Sequence, residues 1–296
     1  MYDARAIGVA IDLPGGSVAN LVRLLNVEEL DVDLYRGAVT TEPWKRTFGG
    51  QVAAQALAAA SRTVAPERAP HSLHAYFMRG GDARLPIIYQ VFRDRDGGSF
   101  SSRRVVALQG GKPILNFAAS FHIREDGYAH QLPMPEVPPP ENLPDEAELV
   151  LATENTTAGA PPPGLRGALE FRPVEPGLRY ESRARPPCQH YWFRVKGKLP
   201  DDALLHRLII TYASDAILLS TAVLAHPVAW TTDPRHVASL DHSVWLHGDA
   251  RVDDWLLYSM DSPWSGHARG LNRGLIYTRA GTLVASTAQE GLLREV

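Results

Sequence analysis

Three polar side chains stand in surroundings where packing alone would not put them. Asp215 interrupts the run Leu208-Ile209-Ile210-Thr211-Tyr212-Ala213-Ser214-Asp215-Ala216-Ile217-Leu218-Leu219. A carboxylate on so apolar a helix is costly unless it is paired, solvated or functional. The structural alternative is that Ser214 and Asp215 cap the junction of two helical pieces. Gln289 lies near the end of Leu283-Val284-Ala285-Ser286-Thr287-Ala288-Gln289-Glu290-Gly291, where an alternating strand sends every second residue to solvent. Ser239 opens Ser239-Leu240-Asp241-His242, a place where a hydroxyl ordinarily caps a turn. Asp241-His242 has the composition of a general-base pair, but neighbours on a strand point to opposite faces. A carboxylate, an amide and a hydroxyl can bind and move protons, and residue by residue each stays open between a functional and a structural role.

Other reactive groups offer less. Cys188 is the single cysteine and follows Arg-Pro-Pro without a nucleophile context; one thiol makes neither an internal disulfide nor a cysteine-based zinc site. His71 and His74 flank a strand start at a spacing that fits packing better than metal ligation. There is no Gly-x-Ser-x-Gly elbow, no phosphate loop, no His-Glu-x-x-His and no dinucleotide fingerprint, so no cofactor or metal is expected.

These groups need elements to position them. An alanine-rich helix is expected over residues 50–63, opened by Gly49 and Gly50. Strands are expected over 72–78, 87–95, 100–109 and 113–122, separated by glycine turns. A second helix over 201–222 precedes strands over 243–247, 255–260, 267–278 and 283–290. The order repeats. Ser72-Leu73-His74 matches Ser239-Leu240-Asp241 at an offset of 239 − 72 = 167, which also lays Gly81-Asp82-Ala83-Arg84 on Gly248-Asp249-Ala250-Arg251. An offset of 169 then lays 111–115 on 280–284 and Ser120 on Gln289. One helix followed by an antiparallel meander, twice, is an α+β arrangement. The expected division is a unit at 1–124, a connector at 125–165 and a second unit at 166–296. The connector is proline-rich, from Pro133 to Pro161-Pro162-Pro163, and reads as extended and semi-rigid, its first part able to pack on the surface.

Composition agrees. The chain has 296 residues, 45% of them hydrophobic, and a net charge of −3. No block of five like charges appears, so neither nucleic acid nor an anionic membrane surface is an expected partner. No apolar run spans a bilayer. The start lacks a secretory pattern and the end is not a peroxisomal address. A cytoplasmic protein is expected.

The residues resemble the acyl-CoA thioesterase II, or TesB-type, family over nearly the whole chain. The resemblance rests on Tyr35-Arg36-Gly37, Phe48-Gly49-Gly50-Gln51-Val52, His71-Ser72-Leu73-His74-Ala75-Tyr76-Phe77 and Arg95-Asp96-Gly97-Gly98-Ser99-Phe100-Ser101-Ser102-Arg103. It continues through His130-Gln131, Met134-Pro135, Tyr212-Ala213-Ser214-Asp215, Leu240-Asp241-His242-Ser243-Val244-Trp245, Asp254-Trp255-Leu256-Leu257-Tyr258, Ala268-Arg269-Gly270 and Val284-Ala285-Ser286-Thr287-Ala288-Gln289-Glu290-Gly291. It implies a double hot dog, two helices each wrapped by a sheet with the sheets side by side, and hydrolysis of acyl-CoA to fatty acid and CoA. The family's catalytic Asp falls on Asp215, its Gln on Gln289, and its hydroxyl residue, often Thr, on Ser239. These three would hold a water that attacks the thioester without an acyl-enzyme, with Gly50 and its neighbours as candidate oxyanion donors. One site per chain, in the second unit, is expected. A homo-oligomer is expected from sheet edges open to pairing. The rival readings are a hot-dog dehydratase or hydratase, with His74, Asp241 and His242 as its loose candidates, and a catalytically silent acyl-CoA binder.

Overall fold

The computed structural model describes residues 17–39, 46–152, 167–177, 181–228 and 236–295; the chain start at 1–5 and the triple proline at 161–163 lie outside them. Helix α1 (Ser17–Leu25) leads into strands β1 (Val27–Asp31) and β2 (Leu34–Gly37), then α2 (Gly49–Ser61), β3 (Arg68–Phe77), β4 (Ile87–Asp96), β5 (Phe100–Gln109) and β6 (Lys112–Ile123). A 3₁₀ turn (Pro140–Asn142) and α3 (Glu146–Ala152) follow. The second half holds β7 (Leu169–Pro173), β8 (Cys188–Val195), α4 (Ala203–Ser214), α5 (Ser220–Val223), β9 (Val237–Ser239), β10 (Asp241–Leu246), β11 (Leu256–Gly266), β12 (Arg269–Thr278) and β13 (Leu283–Leu293). The short strands β1, β2, β7 and β9 carry too few alternations to stand out in the sequence, and β8, eight residues long, is a strand that the sequence reading does not anticipate.

All strands join one antiparallel sheet in the order β1-β2-β4-β5-β6-β3-β10-β13-β12-β11-β8-β7, with β9 also paired to β13. The halves meet where β3 pairs with β10, Leu73 opposite Val244 and Ala75 opposite His242. These four side chains are buried. Helices α2 and α4 pack on each other, and a single apolar core runs through both halves. Ala53, Ala54, Ala56, Ala59 and Ala60 of α2 are completely buried, which explains the alanines: larger side chains would hold the sheet and α4 away from the helix. This is the double hot dog expected. Edge strand β1 presents exposed Glu28, Glu29 and Asp31, charges that oppose strand addition at that end.

The duplication is present in a different register. Met78 N donates to Ile114 O, and its counterpart His247 N donates to Val284 O. The offsets are 247 − 78 = 169 and 284 − 114 = 170. The turn bonds Leu85 N to Asp82 O and Asp254 N to Arg251 O give 169 again. The Gly-Asp-Ala-Arg identity at 167 is therefore a coincidence two residues out of step, and Ser239 corresponds to Pro70 rather than Ser72. In the last strand the expected offset is one residue short, which on a pleated strand exchanges faces. Ala119, not Ser120, is the counterpart of Gln289.

Two further differences matter. The expected helix over 201–222 breaks into α4 and α5 at Asp215, the C-cap residue of α4. The proline-rich segment is more than a connector. Its Met134, Val137 and Leu143 pack on Trp192, Trp255, Leu257 and Tyr277 of the second half. Trp192 Nε1 donates to Pro138 O at 2.9 Å, and Gln131 bonds Gly281 O and Leu283 N at 2.7 and 3.0 Å.

Ala56→Leu is expected to destabilise the fold by about 1–3 kcal/mol through overpacking, read as a lower urea midpoint at unchanged slope.

Candidate active site

Phe48, the N-cap of α2, supplies no side-chain acceptor, so the first-turn N–H groups of this helix need partners from elsewhere. Asp215 provides one. It stands where α4 ends, and its carboxylate accepts the backbone N–H of Gly50. The approach is close enough to demand glycine. A Cβ on Gly49 would lie 2.7 Å from Asp215 Oδ2 and 2.9 Å from Phe77 Cζ, and one on Gly50 would strike the Tyr212 carbonyl. The glycine pair that opens the first-half helix is thus shaped by a carboxylate of the second half.

Strand β13 brings Gln289 inward, fully buried. Its Nε2 donates to Asp215 Oδ1 at 2.5 Å and to Ser239 Oγ at 3.2 Å. Its Oε1 is buried with no hydrogen-bond partner in the protein. The backbone of Gln289 is held in turn by Asn272, which faces it on β12 and donates Nδ2 to its carbonyl. Asp215, Ser239 and Gln289 therefore converge, as expected.

His242 joins them, which the sequence reading discounted. A bulge explains it. Gly291 pairs with Ser239 and Ala288 with Ser243, so two residues on β13 face three on the β9–β10 segment. The extra residue resets the alternation, and both Ser239 and His242 turn toward Asp215. Asp241 points elsewhere and accepts the Glu290 N–H at 2.7 Å, capping the bulge. The same irregularity falls between Pro70 and Ser72 in the first half. His242 is fully buried; Nε2 lies 2.8 Å from Ser214 Oγ, and Nδ1 has no partner and lies 4.0 Å from Asp215 Oδ1.

Burial sets the electrostatics. Desolvation pushes the Asp215 carboxyl up to about 7, against the opposing hydrogen bonds of Gln289 and Gly50. Desolvation also drives His242 down to about 3, so the imidazole is neutral. Tyr258, whose hydroxyl donates to Ser214 O at 3.0 Å and meets Thr287 Oγ1 at 2.9 Å, is pushed upward by burial and stays protonated. A carboxylate titrating near neutrality beside an amide and a hydroxyl can take a proton from water at physiological pH.

The remaining candidates do other work. Cys188 starts β8, and desolvation, Glu175 and Asp261 raise its thiol away from the reactive thiolate. His71 bonds Ser120 Oγ at 2.8 Å and stacks edge-on against Phe100. His74 bonds Ser243 Oγ at 3.0 Å and meets Trp245 edge-on.

Known proteins share this chain's sequence and fold. Residues 178–292 match the acyl-CoA thioesterase family model and residues 40–122 match the model for the acyl-CoA thioesterase N-terminal domain. Human acyl-coenzyme A thioesterase 8 is 41% identical over 99% of this chain and 94% of its own length. Acyl-CoA thioesterase 2 of Haemophilus influenzae is 35% identical over 93% of this chain and 97% of its own. The crystal structure of an acyl-CoA thioesterase II, TesB2, from Mycobacterium marinum superposes with a TM-score of 0.76 at 40% identity, covering 93% of this chain and 98% of that one.

The raised carboxyl has a consequence for stability. Between the ordinary carboxyl value of 3.8 and about 7 the native state holds a proton that the unfolded chain has lost. The contribution of Asp215 to stability therefore falls as pH rises through that window. Asp215→Asn is expected to be more stable than the parent at pH 8, by a few kcal/mol as an order of magnitude at about 1.4 kcal/mol per pH unit. The difference closes toward pH 4, as paired urea titrations at the two pH values will show.

Proposed function

The chain belongs to the acyl-CoA thioesterase II (TesB-type) family and is a thioester hydrolase, and from that premise we propose that Asp215, Ser239 and Gln289 hold one water and that Asp215 is its general base. The water oxygen bonds to the thioester carbonyl carbon while its proton passes to Asp215. The tetrahedral intermediate then expels CoA through cleavage of the C–S bond. A thiol resembles cysteine, whose ordinary pKa is about 8.5, and departs as thiolate with little acid assistance. First-turn N–H groups of α2, beside the carboxylate, are the donors for the oxyanion.

The observation that carries this reading is the Asp215 carboxyl itself, buried, poised near neutrality and bonded to Gln289. The unpartnered Gln289 Oε1 adds an acceptor for a water proton. The contacts of Ser239 argue against an acyl-enzyme: its hydroxyl oxygen accepts an amide N–H, an arrangement that does not draw off its proton. Acyl-CoA is the substrate, and no step needs a cofactor.

A single site per chain follows. At the positions corresponding to Gln289 and Asn272 the first half has Ala119 and, at 272 − 169 = 103, Arg103. The Arg103 guanidinium is buried and spent on Thr63 Oγ1 at 2.7 Å, the Thr63 and Arg95 carbonyls and Asp96. We read residues 1–124 as the scaffold unit, 125–165 as its connector and 166–296 as the unit with the reacting side chains, the scaffold lending the α2 backbone to the site.

Asp215→Asn is expected to cut thiol release from a long-chain acyl-CoA by about 10²-fold or more. Near-parental turnover in the folded variant removes the base assignment. Acid quenching of the parent with radiolabelled acyl-CoA is expected to leave no label on protein; trapped acyl-protein would argue for a covalent route.

A further inference from the structure

Both recorded bonds to the Asp215 carboxylate come from N–H donors, Gln289 Nε2 and Gly50 N. That suits the ionised form. Once the carboxylate has taken a proton from water, however, its new O–H needs an acceptor, and neither donor can serve. Oδ2 faces the α2 N-terminus at Gly49, so a proton there would meet the positive end of a helix. Oδ1 faces His242 Nδ1 at 4.0 Å.

The hydrogen-bond inventory assigns that nitrogen a role. Ser214 has one hydroxyl proton and places it on the Thr211 carbonyl at 3.0 Å. With that proton so placed, Ser214 Oγ accepts from His242, which assigns the ring proton to Nε2, 2.8 Å away. A neutral ring protonated at Nε2 has a bare lone pair at Nδ1, and this atom is buried without a partner. An unused acceptor in a dry site costs free energy unless some state of the molecule uses it.

We propose that His242 is a positioning residue of the hydrolysis: its Nδ1 accepts the O–H of Asp215 after the proton transfer, and Ser214 holds the ring in the tautomer that allows it. Closing 4.0 Å to hydrogen-bond length is a movement of about 1 Å. The bond exists only in the protonated state, so it strengthens Asp215 as a base at the moment it acts. Among the described residues, His242 on β10 and Tyr258 on β11 are titratable side chains that face Asp215, Tyr258 with its hydroxyl on Ser214 O and Thr287. Helix α2, β9 and β13 present Gly50, Ser239 and Gln289, which carry no charge. The inference rests on Asp215 as the base.

The test is the acidic limb of the kcat/KM–pH profile, which reports the free enzyme's base. Three variants separate the roles. Ser214→Ala removes one hydroxyl, strands Nε2–H and favours the tautomer with Nδ1–H toward the carboxylate. His242→Gln keeps a partner for Ser214 but has no acceptor at the Nδ1 position. His242→Asn keeps an acceptor there and loses Ser214. Losing the acceptor favours the carboxylate, so the limb is expected to move to lower pH in Ser214→Ala and His242→Gln, by about half to one unit, the worth of one hydrogen bond. At pH 8 kcat should fall roughly 3- to 10-fold with the same conversion. In His242→Asn the limb should stay at the parental pH. An unmoved limb in folded Ser214→Ala or His242→Gln, or an equal shift in His242→Asn, overturns the proposal. If His242→Gln does not fold, Ser214→Ala decides. Asp215→Asn run alongside keeps the two readings apart: full activity there removes the base itself, whereas its loss with an unshifted Ser214→Ala limb removes only the role of His242.

Discussion

A carboxylate from one half of the chain sits on the N-terminus of a helix from the other. Most of the site's chemistry depends on this contact between Asp215 and α2. Phe48 leaves the helix without a side-chain cap, and the positive end of its dipole attracts a negative charge. Burial works in the opposite direction, because the low-polarity core disfavours that charge. The two effects are opposed, and burial wins by enough to leave the carboxyl near neutrality. A better-solvated Asp215 would be a weaker base. With fewer donors around it, it would stay protonated and be no base at all. Gly49 and Gly50 are the sequence's record of the contact, since any Cβ there collides.

The contact is also why the duplication is asymmetric in chemistry. The second half places Gln289 and Asn272 on facing strands, where an amide can reach both a carboxylate and a hydroxyl. The first half places Ala119 and Arg103 there, and the guanidinium binds the chain just beyond α2 through Thr63. One copy of the repeated arrangement has groups there that are able to bind and move protons. The other spends the corresponding positions on holding its helix.

The sequence carried the elements better than their alignment. Alanines marked α2 and glycine turns marked β4, β5 and β6 because propensity and turn chemistry are local. Register is not local. The identity at offset 167 looked persuasive, yet backbone hydrogen bonds repeat at 169 and 170, and a one-residue error in β13 was enough to oppose Gln289 to an outward serine. The bulge between Ser239 and Ser243 leaves no mark in residue types, and the sequence reading weighed His242 only as half of an Asp241-His242 pair split across a strand and as a loose candidate for a dehydratase. Family motifs located Asp215, Ser239 and Gln289 without needing the bulge. Gly50 and His242 could be placed only once the backbone was in view.

The β3–β10 ladder sets a limit on how this molecule can change. Leu73 and Ala75 face Val244 and His242 across it, and all four are buried. Sliding one half past the other by a single step would turn each inward side chain outward. It would also carry α2 away from Asp215. Rearrangement along this seam is therefore quantised: intermediate shifts are not available, and the next permitted position is two residues away with the site dismantled. Adaptation to different acyl groups must come from changes that leave the index of this ladder intact.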